Sequence, residues 1–448
     1  MSLLLRARAS PYRRVRTAVW RSLRGKSGFL FAGLMLSNAV AYAYQMVMSR
    51  MLSPADYGVL VTLTSISYVL AVLMRTVQAW VIKAVAATGD AGGRRARAAF
   101  RVAMRTLVPL GMAALALHWL ASGWVADFLQ MDAATPVVVL GLYTLSSLVV
   151  PVPRGLLLGL DRLYLASVVH VLEPAVRLIA AVALVVWGLG VNGALAGYAA
   201  GNLAAFAVAL ATLWPLLARR DNPELGGDDV GGLDRYALLV LAVNVCLMVI
   251  ASIDQVVVKH YFSDEVAGNY AVAFLLGRII ALSTMALGWV IFTRSAIAPL
   301  DDPRRARLLL KGLVVIGAIS LTLTAAYLIA PVLAVRLMGG SRYAIADAYV
   351  GLVGIEMTLF SFVYVQAYYQ ISVRKMQVVW PLCLGALLEA ALLARYHQTV
   401  EQILLCLIAV MAGLLVCVSG LSWWILRPGR RPETITGSPP SRRAVSAG

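Results

Sequence analysis

The stretch GFLFAGLMLSNAVAYAYQMVMS, from Gly28 to Ser49, runs for about 22 residues without a charged side chain. A helix of this length is long enough to cross the ~30 Å hydrocarbon core of a bilayer. It follows a basic segment, residues 1–27, and it is longer than the apolar core of a signal peptide. We therefore expect an uncleaved first transmembrane helix.

Apolar runs of this kind recur along the whole chain. Of its 448 residues, 61% are hydrophobic and 13% are charged, whereas soluble domains carry roughly 25% charged residues. A soluble chain cannot hide so much apolar surface, because burial is limited by the ratio of surface to volume, so a soluble enzyme is excluded. We predict an all-α integral membrane protein with twelve transmembrane helices, at roughly 28–49, 57–79, 103–126, 134–152, 163–189, 192–216, 236–259, 266–293, 308–335, 345–370, 377–396 and 401–426.

The distribution of basic residues predicts the orientation. A net charge of +18 in a soluble protein would suggest nucleic acid as a partner. Here the basic residues lie between apolar runs, where the positive-inside rule applies, so we expect no nucleic-acid partner. With both termini cytoplasmic, 31 of the 39 Lys and Arg residues fall in or beside cytoplasmic segments. The others fall on the outer side (Arg50, Lys259, Arg336, Arg342, Arg395) or inside spans (Arg75, Arg177, Arg278).

The chain carries the marks of an internal duplication. Arg94-Arg95-Ala96-Arg97 recurs as Arg304-Arg305-Ala306-Arg307, and at the same spacing Gly58 corresponds to Gly268. The copies lie six predicted spans apart, so we expect two pseudo-symmetric six-helix lobes in a parallel 6+6 repeat, with a substrate site between them. The predicted divisions are a basic cytoplasmic segment (1–27), an N-terminal lobe (28–218), a cytoplasmic linker (219–235), a C-terminal lobe (236–426) and a disordered basic cytoplasmic tail (427–448).

No motif for enzyme chemistry is found in the sequence. Gly25-Lys26-Ser27 ends like a phosphate-binding loop, but Trp20 stands where that loop needs its first glycine. There is no His-Glu-x-x-His helix and no Gly-x-Ser-x-Gly turn. We expect no catalytic residues, no metal and no cofactor, and hence a secondary transporter.

Three segments carry a resemblance to a known family. They are Ser49 to Gly58 (SRMLSPADYG), Gly159 to Arg177 (with GLDR and LEPAVR), and Asp254 to Tyr270. Together they resemble the polysaccharide transporters of the multidrug/oligosaccharidyl-lipid/polysaccharide (MOP) flippase superfamily. The resemblance implies a flippase of a bacterial inner membrane. It would move undecaprenyl-diphosphate-linked oligosaccharide from the cytoplasmic to the periplasmic leaflet by alternating access, with membrane lipids and a polysaccharide polymerase as partners.

The cationic residues inside the predicted spans are candidates for binding the diphosphate. A charge near the bilayer centre costs a few kcal/mol, so it usually faces a partner or a wet cavity. The substrate-binding candidates are Arg278, Arg177, Glu173 and Arg75. Each has a plainer alternative: Arg278 would pair with Glu356, Glu173 would form a structural ion pair with Arg177, and Arg75 would extend to the interface.

Three acidic residues inside the spans are candidates for ion coupling. Glu356 and Glu389 lie near mid-depth, and neither has a cation within one turn of its own helix. Such a carboxylate is either protonated or paired across helices. We therefore assign Glu356, Glu389 and Asp254 to coupling with a proton or sodium gradient. Hydrogen-bonded neutral glutamates are the alternative for the first two, and a helix-end role is the alternative for Asp254.

Two other functions remain open from the sequence. A multidrug exporter of the same fold would favour cationic drugs and would carry more acidic than basic charge in its cavity. A membrane glycosyltransferase or ligase would normally show a sizeable periplasmic loop, whereas all predicted outer loops here are about 15 residues or shorter.

Overall fold

The computed structural model describes residues 26–86, 93–219, 235–297 and 304–426, and these are helical with short connections. The predicted basic segment before Lys26, most of the linker and the predicted tail lie outside the described residues. The helices are α1 Lys26–Met51, α2 Pro54–Ala86, α3 Arg94–Phe128, α4 Thr135–Val149, α5 Pro151–Gly159, α6 Leu163–Leu184, α7 Gly190–Leu217, α8 Arg235–Ile250, α9 Ile253–Tyr261, α10 Asp264–Ile297, α11 Arg304–Ile329, α12 Pro331–Gly339, α13 Ala346–Ser372, α14 Val379–Arg395 and α15 Val400–Leu426. The expected all-α class is confirmed.

Some predicted spans consist of two helices with a break between them. The span predicted at 134–152 continues as α5 to Gly159, because Pro151 interrupts the ladder of backbone hydrogen bonds without ending the helical course. Pro331 also begins a second helix, α12, but there the helical course is interrupted, because the backbone of Ala330 is not helical (φ −134°, ψ 58°). The predicted end at residue 152 is therefore wrong, and the helix continues for about two further turns, which carry Arg154.

Helices α6 and α7 form an antiparallel hairpin. Gly188 (φ 89°) and Gly190 (φ 49°) adopt positive φ values that glycine accepts readily, and the chain reverses there. A Cβ atom at Gly193 would lie 2.9 Å from the backbone of Leu184, and one at Gly201 would lie 2.5 Å from the carbonyl oxygen of Glu173. The glycines therefore let two backbones approach closely, as small residues do between membrane helices.

The lengths and apolar composition of the helices are those of a multi-pass membrane protein. Within the described residues, ten helical segments are long and apolar enough to cross a bilayer. One of them, the 55-residue segment Leu163–Leu217, is the α6–α7 hairpin. The helix α2 is not among the ten, although it has 33 residues. The total of twelve crossings stays a prediction.

The two predicted lobes pack on each other around equivalent residues. The N-lobe comprises α1–α7 and the C-lobe comprises α8–α15, and α2 packs against α8, α9 and α10. A Cβ atom on Gly58 would lie 2.9 Å from the backbone nitrogen of Gly268. These two glycines correspond in the internal repeat, and equivalent residues meet each other at a two-fold axis.

Hydrogen bonds join the lobes near one end of the bundle, which we call the closed end (residues 49–62, 125–131, 255–268 and 335–343). The Ser49 hydroxyl donates to the carbonyl of Met338 at 3.1 Å, and the Tyr343 hydroxyl donates to the carbonyl of Ser49 at 2.8 Å. Buried Lys259 bonds to Asp264 and donates to the carbonyl of Gln130. Further along α2, about 26 Å from Gly58, the side chain of Arg75 is exposed.

Candidate functional site

The N-lobe holds three charged residues in contact, which we call the N-lobe charge cluster (Arg154, Glu173 and Arg177). Arg154 comes from α5 and donates from Nη2 to Glu173 Oε2 at 2.7 Å. Arg177, one turn after Glu173 on α6, donates from Nη2 to Glu173 Oε1. The three side chains are 12–14% exposed. Glu173 lies about 15 Å from the start of α6, so the cluster lies deep within the helix bundle.

An aromatic group packs against this cluster. The guanidinium carbon of Arg177 lies 4.2 Å from the centre of the Tyr198 ring, a cation–π contact. The Tyr198 ring has its centroid 5.0 Å from those of Tyr44 and Tyr143. Gln45 donates to the Tyr198 hydroxyl at 3.2 Å. Tyr198 therefore fixes the position of Arg177 and links it to α1 and α4.

The backbone around Glu173 is fixed by two features of the sequence. Pro174 lacks an N–H group, which frees the carbonyl of His170, and the Ser37 hydroxyl donates to that carbonyl at 2.8 Å. On the other side, Gly201 brings α7 against the Glu173 backbone. The backbone that carries Glu173 is therefore held between α1 and α7.

The C-lobe holds a second polar group, which we call the C-lobe acid cluster (Asp254, Arg278, Glu356 and Glu389). The three carboxyl residues come from α9, α13 and α14, and each is at most 2% exposed. The Tyr270 hydroxyl donates to Asp254 Oδ2 at 2.5 Å. Arg278 is 7% exposed, and its Nη2 donates to the hydroxyl of Ser252, two residues before Asp254. The preceding residue on α10, Gly277, packs against Met357, which follows Glu356 on α13.

Some carboxyl oxygens of this cluster have no hydrogen-bond partner among the described residues. Among the described residues, neither carboxyl oxygen of Glu389 has a partner, and Asp254 Oδ1 has none. Glu389 also lies near the charges of Glu356 and Asp254. Buried like charges at close range cannot all be ionised without compensation. The geometry suits groups that take up protons or share a cation.

The structure brings most of the predicted residues together in two sets. Glu173 and Arg177 contact each other in the N-lobe, as their spacing predicts, while Arg278 lies among acids in the C-lobe. Its Nη2 donates to Ser252 Oγ, and its guanidinium lies 4.9 Å from the centre of the Phe274 ring. These contacts place Arg278 in the C-lobe but do not decide between an ion pair with Glu356 and a contact with the diphosphate. The roles themselves stay predictions.

Arg75 is separate from both clusters in the contacts that the structure describes. Its side chain is exposed on α2, about 26 Å along the helix axis from Gly58. Its role in substrate binding therefore stays a prediction.

Sequence reasoning missed Arg154. The fourth span is predicted to end at residue 152, two residues before Arg154. In the structure Arg154 lies on a continuing helix and bonds to Glu173. A signal was available, since the apolar run resumes after Arg154 and continues through Leu158.

Comparisons with known proteins identify the family. A family model described as "Polysaccharide biosynthesis protein" matches residues 47–347, which is more than half of the chain. The chain belongs to this family. No curated protein matches its sequence.

Solved structures share the fold. An inward-facing multidrug resistance MATE family transporter of the MOP superfamily is 11% identical with a TM-score of 0.69, covering 88% of this chain and 98% of that one. A eukaryotic MATE transporter is 12% identical with a TM-score of 0.65, covering 90% and 95%. A MOP superfamily transporter from Pyrococcus furiosus, described as having a binding pocket of reverse polarity, is 14% identical with a TM-score of 0.56, covering 90% and 98%. The chain thus has the fold of MOP superfamily transporters.

Proposed function

We propose that this protein is a flippase for cell-surface polysaccharide biosynthesis that moves undecaprenyl-diphosphate-linked oligosaccharide from the cytoplasmic to the periplasmic leaflet. The observation that carries the proposal is the N-lobe charge cluster, in which two guanidinium groups share one carboxylate deep within the bundle. An excess of buried positive charge favours an anionic substrate. The family match supports a polysaccharide pathway.

Transport would depend on a movement of the two lobes relative to each other. The diphosphate and its sugars would occupy the space between the lobes, while the polyprenyl tail stays in lipid. Rocking of the lobes would break the contacts of the closed end, such as those of Ser49 and Lys259, and would release the headgroup on that side. The distribution of basic residues supports an orientation in a bacterial inner membrane with both termini in the cytoplasm and the closed end toward the periplasm. The released product suits a polysaccharide polymerase as the next partner.

Transport would draw on an ion gradient through the C-lobe acid cluster. Asp254, Glu356 and Glu389 are buried, and three of their oxygens lack hydrogen-bond partners among the described residues. Binding a proton or a sodium ion there would relieve repulsion between carboxylates. The energy of that binding would favour one arrangement of the lobes over the other.

A multidrug exporter is the second candidate, and the same acid cluster favours it, because carboxylates attract cationic drugs. The discriminating experiment places the purified protein in proteoliposomes with a lipid-linked oligosaccharide that carries a fluorescent headgroup. We expect faster headgroup translocation than in protein-free liposomes, and no accumulation of a cationic dye such as ethidium. Dye accumulation without headgroup translocation would contradict the proposal and support the exporter.

A further inference from the structure

The N-lobe charge cluster lacks a hydrogen-bond acceptor. Each oxygen of Glu173 accepts from one arginine, so one carboxylate is shared by two guanidinium groups. The Nε–H groups of Arg154 and Arg177 are buried and have no acceptor among the described residues. A buried donor without an acceptor costs about 1–3 kcal/mol. The N-lobe charge cluster therefore carries one positive charge in excess, and two of its N–H donors have no acceptor among the described residues.

A purely structural role explains Glu173 and Arg177 but does not explain Arg154. One arginine satisfies one carboxylate, and Arg177 already does so from the same helix. Adding Arg154 requires the desolvation of a second cation, which a single shared carboxylate repays poorly. The three side chains are 12–14% exposed, so the cluster is not completely enclosed by protein. The second arginine is best explained by a second anion.

The chemistry of that anion follows from the donors. Guanidinium groups present planar forks of N–H donors that match phosphate oxygens, and they remain charged at any physiological pH. Tyr198, stacked on Arg177, fixes the orientation of one fork. Two forks held by one carboxylate suit a phosphoryl group, which offers several acceptor oxygens within a small volume.

We propose that Arg154 and Arg177 form the subsite for a phosphoryl group of the substrate and that Glu173 is its exchangeable counterion. This deepens the proposed function and rests on it. When the subsite is empty, Glu173 holds both arginines in position. An incoming phosphoryl group takes over donors from the carboxylate and is released when the carboxylate recovers them. Binding is therefore reversible, as a carrier needs, because a transporter that held its substrate too tightly would not release it.

The test measures binding of inorganic pyrophosphate to the full chain in detergent, by the shift in its melting temperature over a titration. Glu173→Gln removes the competing charge and keeps the shape, so we expect it to bind pyrophosphate more tightly than the native protein. Arg154→Lys keeps the charge but loses the fork, and we expect binding to weaken by roughly tenfold, the loss of about one charge-assisted hydrogen bond. Arg105→Gln, which removes an exposed N-lobe arginine on α3, is the matched control and should bind as the native protein does.

Two further arms separate the sources of the phosphoryl group. Undecaprenyl diphosphate in nanodiscs should compete with pyrophosphate, whereas phosphatidylglycerol should not. If phosphatidylglycerol competes equally, the cluster binds anionic lipid in general and the subsite for the substrate is wrong. If Glu173→Gln weakens binding, or binds no better than the native protein, Glu173 is not a competing counterion and the proposal fails.

Different results would reject the proposed subsite and the proposed transport function. Headgroup translocation that is unchanged in Arg154→Lys would reject the subsite and leave the flippase standing. Pyrophosphate binding that follows the expected order, without any translocation of the lipid-linked oligosaccharide, would reject the flippase and leave an anion site.

Discussion

Replacing Arg278 by alanine is expected to lower the free energy of unfolding by about 3–5 kcal/mol, the usual cost of removing one partner of a buried ion pair. Arg278 lies near Asp254 and Glu356, and both carboxyl groups are almost fully buried. Without the guanidinium, the carboxylates are left without their cation. The measurement is thermal or denaturant unfolding of the purified protein. Arg395→Ala, at an exposed position in the same lobe, is the control and should change stability little.

A second substitution separates this role from a contact with the diphosphate. If Arg278 stabilises the acid cluster, adding Glu356→Gln to Arg278→Ala should restore part of the lost stability, because it removes a stranded charge. If instead Arg278→Ala is as stable as the native protein and has lost only headgroup translocation, Arg278 contacts the substrate. Full stability together with full activity would exclude both roles.

Linking the lobes at the closed end is expected to abolish transport. The rings of Phe128 in the N-lobe and His260 in the C-lobe stack with centroids 4.1 Å apart. After replacement of the native cysteines (Cys246, Cys383, Cys406 and Cys417), Phe128→Cys with His260→Cys would be joined by a short, reducible bifunctional thiol reagent. Alternating access requires this end to separate, so translocation should fall to the protein-free background and return when the link is reduced.

A link within one lobe is the matched control. Trp124 and Phe128 lie one turn apart on α3, and their rings stack with centroids 5.7 Å apart. Joining Trp124→Cys to Phe128→Cys with the same reagent should leave translocation intact, because no movement between lobes is restricted. Transport that survives the link between the lobes would show that the closed end does not need to open.

The helices of this protein follow from its apolar runs, because a backbone in lipid must satisfy its own hydrogen bonds and a helix does so locally. The repeat spacing also indicates that Gly58 and Gly268 are equivalent, and the structure places them against each other. The pairing of Glu173 with Arg177 follows from their spacing of four residues on one helix.

The contacts between helices did not follow from the sequence. Arg154 meets Glu173 only because α5 continues past two prolines, and a proline can either end a helix or bend it. Similarly, Asp254 and Glu356 lie on helices about a hundred positions apart, and their proximity to Arg278 depends on how α9, α10 and α13 pack. Hydropathy indicates depth in the membrane but not the rotation of a helix about its axis.

The most direct test of ion-coupled flipping uses proteoliposomes that contain the purified protein, a lipid-linked oligosaccharide with a fluorescent headgroup, and no ATP. A proton or sodium gradient is imposed, and headgroup translocation is compared between the native protein and the double variant Glu356→Gln, Glu389→Gln. We expect the gradient to change the rate of the native protein and to leave the rate of the double variant unchanged. A requirement for ATP, or a gradient response that persists in the double variant, would contradict the assignment of coupling to these carboxylates.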